Sequence, residues 1–507
     1  MPSSSSVTLC ATFDSPERTA QLQDDFGAAR FGAASRSSKR DLSHSAHQAK
    51  FGTPPCSSAF EEKGSGLVAL RNVAAGEVFH SEWPFCVVQH PANSAFIRAC
   101  TRCCRFAGTC GLQLATLFSG TVEEAVLNEL PSVWGQEKLS DVVECPQGCG
   151  EVYCGQECRA ADWKDNHNFM CVGPLDDDAP LVQFKQLAIE YADTLLLAGK
   201  VFASLVNRAQ QRGRGAEAVR EGMNELMGFT QGKWDDVARP AGATDEHGEG
   251  ETLRLQVLAE AFELLKAALL PASPLFAPLF ESDEFLSRLL GMFERNNIDV
   301  EIQSPLKQLC HSWAQQPPPA ASSSSSSSVG AAAAGPASNP ALRRLLEAKT
   351  VVMRYEWDED ETGNYQSTAA DTSPDDAHMD EETEDDDEAD EAADEQRLAS
   401  IREDVRNLTM EQLLAEEWPN FHGTAFFPSV ARVNHSCVPN IKMAYPRGTC
   451  EVCFGALRGI SCGEEMSTSY IDSEAPRDVR QTNLLEYGFV CRCDKCESEA
   501  ARVNLRR

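Results

Sequence analysis

Between Cys100 and Cys171, cysteine and histidine occur in pairs whose spacing suits metal binding. Cys100 and Cys103 form a C-x2-C, Cys145 and Cys149 a C-x3-C, Cys154 and Cys158 a second C-x3-C, and His167 with Cys171 an H-x3-C. Two or three intervening residues let both side chains of a pair reach one ion from a turn, and a closed structural zinc site takes four S or N ligands. These eight side chains are therefore enough for two zinc ions. Cys491, Cys493 and Cys496 add three thiolates in C-R-C-D-K-C, which need a fourth ligand from elsewhere in the chain. Cys437, in V-N-H-S-C-V-P-N, is the candidate. The rival is the pair Cys450 and Cys453, but T-C-E-V-C-F-G-A-L reads as a strand, on which residues three apart face opposite sides. That pair is expected to be one core and one surface thiol. Eleven of the twenty cysteines are then ligands to three zinc ions, and none that remains must be a nucleophile. Cys104 and Cys110 are spare, Cys86, Cys310 and Cys462 read as structural, and His422 reads as a loop residue.

These ligands need elements to hold them. Gly64 to Val88 carries short apolar runs (LVAL, EVF, FCVV) separated by Gly and Pro, the pattern of small antiparallel strands. LVQFKQLAIEYADTLLLAGKVFASLV, after the cysteine-rich region, repeats apolar residues at three- and four-residue intervals and predicts one long helix or two successive ones. TLRLQVLAEAFELLKAALL and EFLSRLLGMF predict further helices, and ALRRLLEAK a short one. FHGTAFFPSVARVNHSCVPNIKMAYP, TCEVCFGALRGISCGEEMSTSYID and LLEYGFVCRC read as short strands and turns.

Composition narrows the classes. With 42% hydrophobic residues in 507, a core is easily built, and no apolar run approaches the roughly 20 residues that cross a bilayer. The N-terminus has neither the basic-then-apolar order of a secretion signal nor the acid-poor composition of a mitochondrial leader. The expectation is a soluble intracellular protein in which thiols stay reduced or bind metal. The net charge of −32 is uneven: Glu356 to Glu395 holds twenty Asp and Glu and no Lys or Arg, leaving −12 for the rest. Residues 1–57, the Ser/Pro/Ala stretch Gln315–Pro340 and the acidic tract bury too little apolar surface to offset their ordering entropy, and read as disordered.

Read together in order and spacing, these motifs resemble a known family. N-H-S-C-V-P-N at Asn434–Asn440, G-E-E-M-S-T-S-Y-I-D at Gly463–Asp472 and C-x-C-x2-C at Cys491–Cys496 are similar to the SET domain of protein-lysine methyltransferases with its post-SET zinc site. K-G-S-G-L at Lys63–Leu67 resembles that domain's N-terminal glycine motif. Y-C-x3-C and D-W-x3-H-x3-C, from Tyr153 to Cys171, resemble a MYND zinc finger. A SET domain split by a MYND finger is the pattern of the SMYD family. The 41 residues between Cys103 and Cys145, and a chain that ends eleven residues after Cys496 without a helical-repeat domain, resemble its divergent fifth branch.

The resemblance implies an α+β fold: a pseudoknot-like SET β-fold of short strands with an inserted MYND zinc finger, a helical insert and a post-SET zinc site. The implied divisions are a disordered region over 1–57, the SET N-terminal part over 58–92, the finger with its long internal insertion over 93–172 and the helical insert over 173–314. Linker and acidic tract follow over 315–397, the SET core over 398–473 and the post-SET region over 474–507. It implies S-adenosylmethionine as methyl donor and protein lysines as acceptors (EC 2.1.1.-), on histones, ribosomal proteins or other basic proteins. Lys63, Gly64, Ser65, Gly66 and Leu67 would offer backbone to the cofactor. Asn434 and His435 would contact its amino-acid and adenine portions, and Tyr470 would be catalytic, its hydroxyl beside the methyl group. Phe489 would wall the lysine channel or stack on adenine, and Cys437 would pin the segment carrying Phe489 over the cofactor. Further expectations are a monomer in cytoplasm or nucleus, a proline-containing peptide as partner for the finger, and neither membrane nor direct nucleic-acid binding. The acidic tract would attract basic substrates or serve only as a solvated spacer. A non-catalytic MYND adaptor on a degenerate scaffold is the rival from another class.

Overall fold

The strand Phe421–Phe426 is flanked on both sides, by Cys86–Gln89 and by Asn297–Ile302, in an antiparallel three-stranded sheet. A Cβ on Gly423 would stand 2.4 Å from the carbonyl oxygen of Val88, so only glycine lets these backbones approach. The same glycine gives F-H-G-T its loop-like look. His422 therefore lies on a strand, opposite Glu301, and not in the loop expected of it. Its burial pushes the imidazole down to about 4. The computed structural model to which this sheet belongs describes residues 66–121, 123–237, 249–315, 339–359, 365–367 and 384–504. The readings of residues 1–57 and of most of the linker and acidic tract lie outside that set.

Two more three-stranded sheets complete the β part. Val78–Glu82, Val452–Ala456 and Ile441–Ala444 are antiparallel. Leu67–Val68 runs antiparallel to Glu465–Thr468, which on its other side is parallel to Asn434–His435. Parallel pairing of segments so close in sequence requires the chain to turn through the sheet Ile441–Ala444/Val452–Ala456 between them. Every residue of Val452–Ala456 is buried, and Cys450, which precedes the strand in a turn, is buried as well. The expectation of one surface thiol in the Cys450, Cys453 pair is thus wrong: the strand is covered on both faces, so alternation leaves no solvent side.

The helical insert forms a core of its own. The expected long run is two helices, Pro180–Tyr191 and Thr194–Gln211, broken where Ala192 becomes extended. With Glu249–Leu269 and Glu284–Asn296 they enclose Leu197, Val201, Phe202, Leu286, Leu289 and Phe293, and Phe426 joins this core from the sheet. The short helix expected at Ala341–Lys349 is present and longer, Pro340–Glu356, and its Leu342, Leu345 and Leu346 are fully buried in the core shared with these strands. Three such leucines contribute roughly 1.5–3 kcal/mol each toward offsetting the cost of ordering the segment. Glu384–Arg406, which takes in the end of the acidic tract, is also helical. The long insertion between Cys103 and Cys145 folds back likewise: Cys110–Phe118 buries Leu114, Leu117 and Phe118, and Trp134 stacks on Trp313 at 4.7 Å. No helix among the described residues is long and apolar enough to cross a membrane.

Candidate active site and metal centres

The four ligand pairs of the cysteine-rich region interleave. Cys100, Cys103, Cys154 and Cys158 form one cluster, and Cys145, Cys149, His167 and Cys171 a second, so the first pair joins the third and the second the fourth. The hairpin Val143–Glu144/Val152–Tyr153 and the helix Gln156–Asp162 carry the alternating pairs. A tetrahedral ion with bonds of about 2.3 Å to sulfur sets sulfurs about 3.8 Å apart. Cys103 and Cys154 stand 3.5 Å apart, Cys154 and Cys158 3.6 Å, and Cys145 and Cys171 3.8 Å, with His167 Nε2 3.3 Å from Cys145 Sγ and 3.5 Å from Cys149 Sγ. Disulfides would need about 2.05 Å. Burial holds the His167 imidazole down at about 4, so it is in the neutral form that ligates. The donor sets and spacings fit one zinc ion each.

Cys437, Cys491, Cys493 and Cys496 form the third cluster. Cys437 Sγ stands 3.9 Å from Cys491 Sγ and 3.6 Å from Cys496 Sγ, again a tetrahedron edge. Here the chain supplies donors around the sulfurs. On the helix Arg477–Glu486, Gln481 Nε2 stands 3.2 Å from Cys496 Sγ and its Oε1 accepts the Cys491 amide at 3.0 Å. Buried Arg480 sets Nη2 3.6 Å from the same sulfur while pairing with Glu499 at 2.6 Å. Four thiolates around a dication leave two negative charges, which these donors offset. Neither Arg480 nor Gln481 was legible beforehand: R-Q on a helix carries no ligand spacing.

Beside this cluster lies the other group of singled-out residues. The parallel strand Asn434–His435 sets Asn434 Nδ2 2.9 Å from Glu465 Oε1, and a Cβ on Gly66 would come within 2.7 Å of that Asn434 nitrogen. Gly66 thus meets Asn434 directly and Leu67 pairs with Met466 on the neighbouring strand, whereas Lys63, Gly64 and Ser65 lie outside the described residues. Asn440, the last residue of N-H-S-C-V-P-N, is a buried hub: its Oδ1 accepts from the Ser467 amide at 2.8 Å, and its Nδ2 donates to the Glu465 carbonyl at 2.7 Å. That role was invisible in sequence because it depends on a strand 25 residues away.

Tyr470 follows the strand Glu465–Thr468. Its amide donates to His435 Nδ1 at 3.0 Å, its hydroxyl donates to the Val433 carbonyl, and its own carbonyl accepts from the Tyr487 hydroxyl at 3.2 Å. Burial, with Glu465 nearby, pushes its phenol above the ordinary value. Tyr470 therefore stays protonated and is no general base; it can orient reactants and present a dipole. Phe489 packs on the same cluster, its ring 6.0 Å from His435 and 6.4 Å from Tyr470 at 81°. Gly66, Leu67, Asn434, His435, Tyr470, Phe489 and the third metal cluster thus converge in one place.

A family model of the SET domain matches residues 340–471. The matched stretch is completed by the N-terminal strands from Leu67 to Gln89, which pair with it across the inserted finger and helices. The chain is similar to a histone-lysine N-methyltransferase, ATXR2, of Arabidopsis thaliana, at 26% identity over 72% of this chain and 64% of the relative. It is 40% identical to the N-lysine methyltransferase SMYD2 of Homo sapiens over 89 residues, 17% of this chain and 20% of that protein, and equally to SMYD2-B of Xenopus laevis. It thus spans a little under two thirds of the plant relative and a fifth of the animal ones.

Proposed function

We propose that the chain is a protein-lysine N-methyltransferase of the SMYD kind, with a MYND-type finger in the cysteine-rich region, a SET fold threaded as a pseudoknot and S-adenosylmethionine as donor. The observation that carries this reading is the convergence of Gly66, Asn434, Tyr470 and Phe489 beneath a segment tied down through Cys437. When bound, the cofactor supplies a sulfonium methyl group for in-line displacement by a lysine amine, positive charge passing from sulfur to nitrogen. This chain's residues do the rest. Asn434 and the backbone of Gly66, Leu67 and His435 hold the donor, with Lys63, Gly64 and Ser65 proposed to extend that contact. The Tyr470 hydroxyl, neutral and fixed by Val433, orients donor and acceptor, and alignment alone can be worth several kcal/mol. The Phe489 and Tyr487 rings make an apolar surround in which a lysine amine sheds its proton more readily. Loaded with one zinc per cluster, the three metal centres shape the finger and the post-SET lid.

Lysines of histones, ribosomal proteins or other basic proteins are the proposed substrates, taken up by a monomer in cytoplasm or nucleus. Incubating the zinc-loaded full-length chain with radiolabelled S-adenosylmethionine and such proteins should label lysines, and calorimetry should show cofactor binding. Folded, zinc-loaded protein that binds no cofactor would refute the proposal in favour of a non-catalytic adaptor.

A further inference from the structure

The imidazole of His435 is buried, and both of its nitrogens are taken. Nδ1 accepts from the Tyr470 amide at 3.0 Å, and Nε2 stands 3.3 Å from Cys437 Sγ. An amide N–H can only donate, so Nδ1 is bare and the ring hydrogen of the neutral form sits on Nε2, facing the sulfur. A metal-bound thiolate is an acceptor, so metal binding and this tautomer favour each other. The line of contacts runs Cys437, His435, Tyr470, and through the tyrosine hydroxyl back to the Val433 carbonyl, two residues before His435. The Tyr470 and Phe489 rings flank the imidazole, their centroids 5.4 and 6.0 Å from its own. No ring nitrogen is left over for another ligand.

We propose that His435 is a positioning residue whose side chain is a strut between the third metal centre and Tyr470. Only its backbone is available to a cofactor. The proposal rests on the reading of Tyr470 as catalytic. Its consequence is that closure of the Cys437/Cys491/Cys493/Cys496 site fixes the Tyr470 backbone, whereas the two finger centres do not touch it.

The test compares the zinc-loaded full-length chain with His435→Leu, which removes both contacts, and His435→Gln, which keeps a donor and an acceptor. Zinc release is followed with a chromogenic chelator, and kcat and KM for S-adenosylmethionine with a basic protein substrate. In the Leu variant one of three zinc equivalents should leave about 10-fold faster, the usual scale for loss of an outer partner of a metal ligand, with the other two unchanged. Its kcat should fall about 10- to 100-fold while KM moves less than about 3-fold, and the Gln variant should recover most of both. Wild-type release of all three equivalents, or a loss confined to KM, would overturn the strut. Should the Leu variant lose the finger zincs as well, it is misfolded and the Gln variant decides: slow release with near-normal kcat supports the strut, fast release of the third zinc alone contradicts it. If the unaltered chain transfers no methyl group, the methyltransferase reading falls, while the zinc-release comparison still tests the strut.

Discussion

The finger centres, one of four cysteines and one of three cysteines and His167, and the four-cysteine post-SET centre differ most in what surrounds them. The finger's eight ligands lie within Cys100–Cys171 and brace one another, and its buried Tyr153 hydroxyl turns to Asp162 at 2.9 Å. The post-SET centre joins Cys437 to cysteines 54 and 59 positions later and is ringed by His435, Gln481 and Arg480. One arrangement stabilises a local unit. The other ties two distant segments together at the place where Tyr470 and Phe489 meet. Closely similar donor sets thus do different work according to their second layer of contacts.

The sharpest way to break this comparison is to remove one ligand from each class. Cys491→Ser should lower methyl transfer at least about 100-fold, because the lid and the Tyr470 support go together, whereas Cys158→Ser should cost under about 10-fold. Equal losses in a transfer assay would show the two regions to be coupled alike. A smaller effect is expected of Gly66→Ala: its Cβ would press on Asn434 Nδ2 at 2.7 Å, and cofactor affinity measured by calorimetry should fall about 10-fold, with zinc retention unchanged.

Two changes away from both regions sharpen the contrast. Lys349 is fully buried, donates to the Glu417 carbonyl at 2.6 Å, and is pushed down by burial to about 7 despite Glu416 nearby. Between pH 7 and its ordinary 10.5 the unfolded chain holds a proton that the folded chain lacks, so stability should rise with pH across that window. Denaturant titrations of Lys349→Met should lose this rise while zinc release stays as in the unaltered chain; an unchanged pH profile would assign it elsewhere. Smallest of all, Thr409→Ala removes a capping box in which Thr409 Oγ1 accepts the Gln412 amide at 3.2 Å and Gln412 Oε1 the Thr409 amide at 2.8 Å. It should cost about 1 kcal/mol in thermal unfolding, with no effect on either class of metal centre.

Metal arithmetic was legible because ligand pairs are local, and Cys437 because three thiolates demand a fourth. Asn434, His435, Tyr470 and Phe489 were singled out through the resemblance of their order to that of a SET domain, and the fold brings them together. The contacts that organise them were not. Arg480 and Gln481 reach the sulfurs only across a tertiary fold, and the Val433 partner of Tyr470 is a backbone carbonyl with no sequence signature. Low-complexity neighbours shortened the reading of Pro340–Glu356 although its leucines keep helical spacing, and Gly423 disguised a buried strand as a loop. In both places packing overrode a local signal.

The account stands most directly on Tyr470→Phe in the zinc-loaded chain. If the Tyr470 hydroxyl acts in the transition state as proposed, removing it should cut methyl transfer about 100-fold while S-adenosylmethionine affinity changes less than about 3-fold. Undiminished transfer, or lost cofactor binding with transfer retained, would contradict it.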